Sequence, residues 1–491
     1  MPYNEFIQTA NVRGQFVMGR GEAARSADDA SVIRLNELDL LHFEPCPATE
    51  VIDAAGNRVG VLLGHPIDLV EQKVIRKRYL LSATVGNDID GFVETHIHAP
   101  LGGSFLFILT HGSTRRIYLD AGGTMSAVYD PEQRRVAATT PLLLDADAYR
   151  ERFDAELHAF LQVPREGWFP ASLTAHHGVF RIQANHYLDL DSWQQRRHWP
   201  MAPVPQAEDP MAASQQAGIA VQSSIAAMQE ADSVAVALTG GNESRLLLAV
   251  CRERVEELDF CMVDNRSQAV DHALSLELAQ RFDLRHRFLP AVQATPDEQE
   301  VYLSRAGHCI GDARARNFPS VAPLADYGYF VNGVGGGVGR GFFWRGGDTA
   351  TTSIDARALT TRLGMPVHPR VIEAVGRWLE GTRQFDTFLM LDLAFLELRM
   401  APWAFANSYG MPDVRHIHPL ISRSVFEAMV SLPPEWRRKG LMTTEIVNHY
   451  WPELGTVRIN SFGDYRDVLQ ILRRVANDPT VIAKKFRRKF A

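Results

Sequence analysis

Short apolar or alternating runs dominate the first 200 residues, and they predict strands joined by turns. The clearest run is SFLFILT at Ser104–Thr110. Similar runs lie at Arg116–Leu119, Ser126–Tyr129, Arg135–Thr139, Val179–Ile182 and His186–Leu190. The turn-forming sequences HGS, DAGG and DPEQ separate the first four runs. The pattern therefore predicts a β-rich N-terminal domain over residues 1–200.

A proline-rich stretch follows, and the hydrophobic period then changes. Residues 201–213 contain three prolines, which is typical of a linker. Beyond this stretch Ile219, Val221, Ile225 and Met228 fall on one face of a helix. We expect a second domain over residues 214–491.

This second domain alternates between strand-like and helical patterns. A continuous apolar run, VAVAL at Val234–Leu238, is typical of a buried strand. Helical patterns follow at Arg245–Val255 and Val270–Phe282, and strand-like runs at Leu258–Val263, His286–Leu289 and Tyr329–Asn332. Alternation of this kind predicts a parallel α/β sheet with right-handed crossovers. From about Ile354 onward the pattern is mostly helical.

Composition and charge narrow the function classes. The formal net charge is −7, which argues against a dedicated nucleic-acid binder. The four cysteines form no CxxC pair, so neither a disulfide framework nor a structural zinc site is expected. Since no apolar run is long enough to cross a membrane, we expect a cytoplasmic protein without a membrane partner. The oligomeric state is left open, with a homodimer as one option.

The most informative stretch is VAVALTGGNESRLLLAV at Val234–Val250. A buried strand stops at a Thr-Gly-Gly turn, and a helix begins at once. The free N–H groups of a helix start favour an anion, and the hydroxyls of Thr239 and Ser244 add donors. The loop has neither the GK[ST] ending of a Walker loop nor GxGxxG spacing. A tight turn without a ligand remains the alternative.

These residues suggest a family. LTGGNESR resembles the S-G-G-x-D-S loop of the asparagine synthetase superfamily, and more loosely that of other N-type ATP pyrophosphatases. NGVGGGVGRGFFWR at Asn332–Arg345 is similar to the later glycine segment of that domain. Leu398–Ser422 resembles the segment around its catalytic acid. The resemblance implies an N-terminal β-rich Ntn-type sandwich, of the glutaminase kind, and a C-terminal adenine-nucleotide α-hydrolase-like parallel sheet with a helical C-terminal part.

The resemblance also implies a chemistry. Members activate a carboxylate with ATP and Mg²⁺ to give an acyl-adenylate, which an amine or ammonia converts to an amide. The partners would be small-molecule carboxylate and amine substrates. Nucleotide contacts would come from Leu238, Thr239, Gly240, Gly241, Ser244, Val263, Gly333 and Gly335. Glu243 would hold the metal, and Asp413 with Arg415 would correspond to the family's acid–arginine motif, although Asp413 is equally well explained as a surface carboxylate.

Arg340 is a separate candidate, since a cation on a glycine loop can contact a phosphate. Its alternative is an arginine stacked on Phe342 or Trp344.

The sequence departs from the family pattern at three places, and two of them, Glu243 and Gly337, favour a catalytically degenerate binding or scaffold protein as the alternative function. The sequence reads Met1-Pro2-Tyr3 where the glutaminase domain needs a cysteine, so glutamine hydrolysis is not expected. Glu243 replaces an aspartate, which displaces a metal-binding carboxylate by about 1 Å. Gly337 stands where an acidic residue is expected.

Two HxH pairs, His96/His98 and His416/His418, present two imidazoles on one face if they lie in strands. Neither pair has a third ligand at a recognisable spacing, and packed or exposed histidines explain them as well.

Overall fold

The computed structural model describes residues 12–22, 30–161, 167–265 and 268–467. Met1-Pro2-Tyr3, from which we predict that the protein does not hydrolyse glutamine, lies outside these residues. Within them the strands are β1 (Phe16–Gly19), β2 (Ala30–Leu35), β3 (Leu38–Phe43), β4 (Ala48–Ile52), β5 (Arg58–Asp68), β6 (Lys73–Val74), β7 (Arg78–Leu80), β8 (Leu101–His111), β9 (Thr114–Leu119), β10 (Val128–Asp130), β11 (Arg135–Ala137), β12 (Phe180–Arg181), β13 (His186–Asp189), β14 (Gln194–Arg197), β15 (Val234–Ala237), β16 (Asp259–Asp264), β17 (His286–Pro290), β18 (Tyr329–Val331) and β19 (His416–Ile417).

Helices connect and cover these strands. The α-helices span Ile89–Val93, Thr140–Leu143, Ala146–Arg152, Ala155–Leu161, Pro210–Ala231, Asn242–Val250, Ala269–Arg281, Pro296–Arg305, Asp312–Ala315, Ala356–Arg362, Pro369–Glu380, Thr387–Leu393, Ala401–Gly410, Arg423–Ser431, Pro434–Lys439 and Leu441–Tyr450. Short 3₁₀ segments lie at Arg252–Glu257, Phe318–Asp326, Val338–Arg340 and Pro452–Thr456, and π-helical turns at Glu94–His98 and Ala394–Met400. No helix of the described ranges is long and apolar enough to cross a membrane.

The N-terminal half contains two sheets. One has the order β12-β10-β11-β1-β3-β2, and the other has the order β14-β13-β9-β8-β5-β4-β7 with β6 beside β5. The pairs are antiparallel except for β4 with β7. The predicted β-rich first half is therefore confirmed, although the strands before Leu101 give weaker patterns.

Strand β8 shows how the layers pack. Its residues alternate between two cores: Leu106 and Ile108 face the six-stranded sheet, whereas Phe105 and Phe107 face the layer that contains Phe92. The far side of the six-stranded sheet packs on the helix Thr140–Leu143. The order of layers is helix, sheet, sheet, helix.

The second half contains the predicted parallel sheet, with the order β17-β16-β15-β18-β19. All its paired strands are parallel. Strand β15 is central and covered on both faces, which explains its unbroken run of apolar residues. From β15 the chain adds β16 and β17 on one side of the sheet, and then β18 and β19 on the other side. The strand order therefore reverses between β15 and β18. In open α/β sheets, ligands bind at the carboxyl ends of the strands at such a reversal.

The connection between the halves is shorter than predicted. The helix Pro210–Ala231 begins inside the proposed 201–213 linker. Asp209 caps it by accepting the N–H groups of Met211 and Ala212, and Pro210 occupies the first turn, where it needs no hydrogen-bond acceptor. The sequence Asp-Pro is therefore a helix start at this point.

Candidate functional site

Two glycine loops leave neighbouring strands at the carboxyl edge of the parallel sheet. The first follows β15 through Thr239–Gly241 and enters the helix Asn242–Val250. The second follows β18 from Asn332 to Gly341. Since β15 and β18 pair directly, the two loops lie side by side at the reversal point of the sheet.

The first loop is held by its own hydroxyls. Ser244 Oγ donates to the Thr239 carbonyl at 2.9 Å and lies 3.0 Å from Thr239 Oγ1. Thr239 Oγ1 in turn accepts the Gly241 N–H at 3.2 Å. These bonds set the turn before the helix, whose N-cap, Gly241, has no side-chain cap. The N-terminus of the helix is therefore left for an external acceptor.

Asp271 is a member of the site that the sequence did not reveal. Its Oδ1 accepts the Gly240 N–H at 3.0 Å from the first turn of the helix Ala269–Arg281. Asp271 thus places a carboxylate beside the loop. The only sequence signal is an acidic residue in the first turn of the helix that follows β16.

Glu243 fills the space between the two loops. A Cβ on Gly333 would lie 2.4 Å from Glu243 Cβ, and one on Gly336 would lie 2.5 Å from Glu243 Cγ. Both positions therefore need glycine to admit the Glu243 side chain. The carboxylate pairs with the Arg340 guanidinium, and both side chains are partly exposed.

The Arg340 guanidinium contacts the Glu243 carboxylate. The cation that stacks on the Phe342 ring is Arg399, whose guanidinium carbon lies 4.8 Å from the ring centroid. Arg340 therefore faces the first glycine loop, at the place where a bound phosphate would compete for it.

Gly337 has no room for the acidic residue of the family pattern. A Cβ at this position would lie 2.5 Å from Phe395 Cζ. The missing carboxylate is therefore matched by an aromatic ring that packs against the loop. Gly335, by contrast, has φ +112°, a conformation that favours glycine, and packs against the Leu420 carbonyl.

Arg245 fastens a distant segment to the first loop. Its side chain is fully buried and donates to the carbonyls of Leu454, Val457 and Arg458 at 2.7, 2.8 and 3.0 Å. The Asn460 N–H also donates to the Gly240 carbonyl at 2.9 Å. Burial lowers the pKa of Arg245 to about 10, so it remains charged at neutral pH. The stretch Val457–Asn460 thus supports the loop.

A polar pair, Asn332 and His418, lies where β18 and β19 end. His418 Nδ1 lies 2.7 Å from Asn332 Oδ1, and burial lowers the pKa of His418 to about 4. The imidazole is therefore neutral at pH 7 and donates its Nδ1 proton to the amide oxygen. Asn332 Oδ1 also accepts the Val334 N–H at 3.2 Å, which shapes the start of the second loop.

The remaining nucleotide candidates share this edge. Leu238 is buried and donates its N–H to the Cys261 carbonyl at 2.9 Å, which extends the β15–β16 pairing. Val263 is near the carboxyl end of β16 and half-buried. One edge of the sheet therefore brings together ten of the predicted site residues: Leu238, Thr239, Gly240, Gly241, Glu243, Ser244, Val263, Gly333, Gly335 and Arg340.

Asp413 and Arg415 are not brought to that edge. Arg415 precedes β19, and its guanidinium donates to the carbonyl of Gly328, which precedes β18, at 3.3 Å. Both residues thus lie at the amino ends of the strands, about 10 Å along the strand axis from the glycine loops. Asp413 is exposed and pairs with Arg13. The position of Asp413 therefore matches the alternative of a surface carboxylate, and the site at the glycine loops does not include this acid–arginine motif.

The first HxH pair does not lie in a strand. His96 and His98 fall in the π-helical turn Glu94–His98, where His98 stacks on His198 with ring centroids 4.7 Å apart. In the described part of the chain, no three histidine, cysteine, aspartate or glutamate side chains are grouped to hold a metal ion.

Mg²⁺ commonly binds through one or two carboxylates together with substrate phosphates, so a dedicated cluster is not required. Glu243 and Asp271 are the carboxylates beside the first loop. These two carboxylates fit a metal that arrives with a phosphate ligand.

Comparisons with known proteins give structural matches of low similarity. No protein-family model and no curated protein matches the chain. An NMN synthetase from Francisella tularensis is 13% identical with a TM-score of 0.19, over 42% of this chain and 94% of that one. An NH3-dependent NAD synthetase from Campylobacter jejuni is 13% identical with a TM-score of 0.16, over 35% of this chain and 75% of that one. Both are weak structural neighbours, and no inference about activity rests on them.

Proposed function

We propose that this protein binds ATP at the two glycine loops and uses it to form an amide bond, with release of AMP and pyrophosphate. The observation that carries the proposal is the placement of both loops on adjacent strands at the reversal point of a parallel sheet. The Thr239 hydroxyl and the helix N-terminus supply donors for a phosphate, Ser244 holds the turn that presents them, and Arg340 supplies the positive charge. Glu243 and Asp271 would hold Mg²⁺, which neutralises phosphate charge when it is bound.

In the proposed reaction a substrate carboxylate oxygen attacks the α-phosphorus of ATP. The bond from the α-phosphorus to the bridging oxygen breaks, and pyrophosphate leaves with that oxygen. An amine nitrogen then attacks the acyl carbon, AMP departs and the nitrogen loses a proton. The chain contributes orientation and charge stabilisation to both steps.

The proposal also assigns a fold type to the N-terminal half. The helix–sheet–sheet–helix order of the N-terminal half supports an Ntn-type domain. In this proposal the domain does not hydrolyse glutamine, and the amine or ammonia comes from outside the chain. The substrates are a small carboxylate and an amine, and a homodimer is a further expectation.

A second function, that of a scaffold without nucleotide chemistry, is favoured by one feature. The phosphate-binding groups have internal partners: Arg340 with Glu243, and the Gly240 N–H with Asp271. A protein that no longer binds phosphate would keep such contacts because they satisfy buried or half-buried polar groups.

Calorimetric titration with ATP, with and without Mg²⁺, separates the two functions. The ligase proposal expects micromolar binding and, with pooled carboxylates and amines, AMP and pyrophosphate in equal amounts. Arg340→Met should weaken ATP binding at least tenfold, whereas the matched control Arg357→Met, at an exposed arginine, should not. Absence of binding at millimolar ATP would leave the scaffold function.

A further inference from the structure

A separate cavity lies between the two halves of the chain, away from the glycine loops. It has about 420 Å³ of empty space, part of which is open to solvent. From the N-terminal half it is lined by Cys46, His65 and Ser104, and from the C-terminal half by Tyr409, Arg415 and His416, with others. The cavity is therefore formed only when the two halves are packed together.

The lining of this cavity contains an arginine and no acidic residue. Arg415 is half-buried, and among the described residues no carboxylate lies within ion-pair distance of it. Its hydrogen bond is the weak one to the Gly328 carbonyl at 3.3 Å. None of the thirteen lining residues is acidic. A half-buried guanidinium without a counter-charge is available to pair with an anion in the cavity.

His416 provides a second and independent sign of a ligand. Its side chain is 6% exposed, and neither ring nitrogen has a hydrogen-bond partner. Buried polar groups in proteins are nearly always bonded to protein, water or ligand. Burial, followed by the neighbouring His418, lowers the pKa of His416 to about 3, so the ring is neutral at pH 7, with one donor and one acceptor.

His65 lines the cavity on the side of the N-terminal half. Burial, then the charges of Arg415 and Arg76, lower the pKa of His65 to about 4. The positive charge of Arg415 thus disfavours protonation of His65 on the N-terminal side of the cavity. The remaining lining includes Pro45, Met125 and Val414, which are apolar.

We propose that this cavity is a binding site for a small organic carboxylate that carries no amino group. The Arg415 guanidinium binds the carboxylate, the neutral His416 ring donates a hydrogen bond to it, and the apolar residues cover a short hydrocarbon chain. An α- or ω-ammonium group would need an acidic partner, and the lining offers none. The site does not depend on the proposed function at the glycine loops.

Butyrate is the probe, with 4-aminobutyrate and inorganic phosphate as matched comparisons. Binding is measured by calorimetry on the full chain. We expect butyrate to bind, 4-aminobutyrate to bind at least tenfold more weakly, and phosphate to bind more weakly than butyrate. Saturating Mg²⁺-ATP should leave butyrate binding unchanged, because the glycine loops lie at the other edge of the sheet.

Arg415→Met should lower butyrate affinity at least tenfold, and Arg415→Lys should lower it less because the charge remains. Arg340→Met, at the glycine loops, is the control and should bind butyrate as the wild type does. Absence of butyrate binding, or equal binding to Arg415→Met, would overturn the proposal. Equal affinity for phosphate would overturn the carboxylate specificity. If Arg415→Met does not fold, butyrate-induced shifts of the His416 ring ¹⁵N signals in the wild type decide, and unchanged shifts would contradict the site.

Discussion

The Arg197 guanidinium, on β14, makes two hydrogen bonds of 2.7 Å to the Glu397 carboxylate, in the π-helical turn Ala394–Met400. The two residues belong to different halves of the chain, and Glu397 is almost fully buried. Trp378 Nε1 donates a further 2.7 Å bond to the same carboxylate. Asn185 Nδ2 donates a fourth hydrogen bond to this carboxylate, at 3.1 Å. Both Glu397 oxygens therefore accept hydrogen bonds.

Arg197→Met should destabilise the protein strongly, because it leaves a buried carboxylate without its counter-charge. We expect a loss of about 3–5 kcal/mol in the free energy of unfolding, measured by urea denaturation. The neighbouring Arg196 is exposed, so Arg196→Met is the matched control and should cost less than 1 kcal/mol. Equal losses in both variants would contradict the importance of the pair.

His418 should make stability depend on pH. Burial lowers its pKa to about 4, below the ordinary value near 6.5. Between these values the unfolded chain binds a proton that the folded chain excludes, so stability should fall as the pH drops from 6.5 to 4.

His418→Gln removes that proton and keeps a donor for Asn332. The slope of unfolding free energy against pH should become shallower by about 1.4 kcal/mol per pH unit in this window. His449→Gln, at an exposed histidine, is the control and should keep the wild-type slope. A wild-type slope in His418→Gln would show that this ring is not buried in the neutral form.

Gly337 and Phe395 should show coupled effects on stability. Gly337→Ala places a Cβ 2.5 Å from the Phe395 ring and should cost about 1–3 kcal/mol through overpacking. Phe395→Ala creates a cavity that the new methyl group partly fills, so the double variant should be no less stable than Phe395→Ala alone. Gly346→Ala, where nothing lies within 4 Å, is the control. Strict additivity of the two costs would contradict the contact.

Arg245 should control the mobility of the segment that supports the first loop. Arg245→Met removes three hydrogen bonds to carbonyls between Leu454 and Arg458. Amide hydrogen exchange across residues 452–460 should become at least tenfold faster, while exchange in the sheets β1–β14 stays the same. Arg252→Met, at an exposed arginine beside Glu453, is the control and should change that exchange by less than threefold. Unchanged exchange in Arg245→Met would mean that other contacts hold the segment.

Glu243 should set the metal dependence of nucleotide binding. Glu243→Gln frees Arg340 and removes a negative charge from the loop, so ATP affinity without Mg²⁺ should rise at least threefold. The gain in affinity on adding Mg²⁺ should be smaller than in the wild type. Calorimetric titration measures both, with Glu435→Gln, at a carboxylate of the helix Pro434–Lys439, as the control. Lower metal-free affinity in Glu243→Gln would contradict the proposed competition.

Local patterns were sufficient for much of the fold. The unbroken apolar run of β15, the Thr-Gly-Gly turn and the helix after it predicted a strand, a loop and a helix that the structure contains. Weaker strands such as β2, whose residues are mostly exposed or half-buried, do not stand out in a pattern of apolar positions.

The candidate site was only partly predictable because its members are set by topology. Asp271 is recognisable only when the helix after β16 is seen beside the first loop. Asp413 and Arg415 were placed by a motif, but β19 runs parallel to β18, which puts the residues before it at the opposite edge. A short strand of two residues therefore decided which edge of the sheet the motif occupies.

The contacts of Arg245 have a consequence for synthesis on the ribosome. The carbonyls that receive its hydrogen bonds lie 209 to 213 positions further along the chain. At translation rates of about 5–20 residues per second, Arg245 is made roughly 10–40 s before its partners. A nascent chain thus presents the first glycine loop before the segment that supports it has been made.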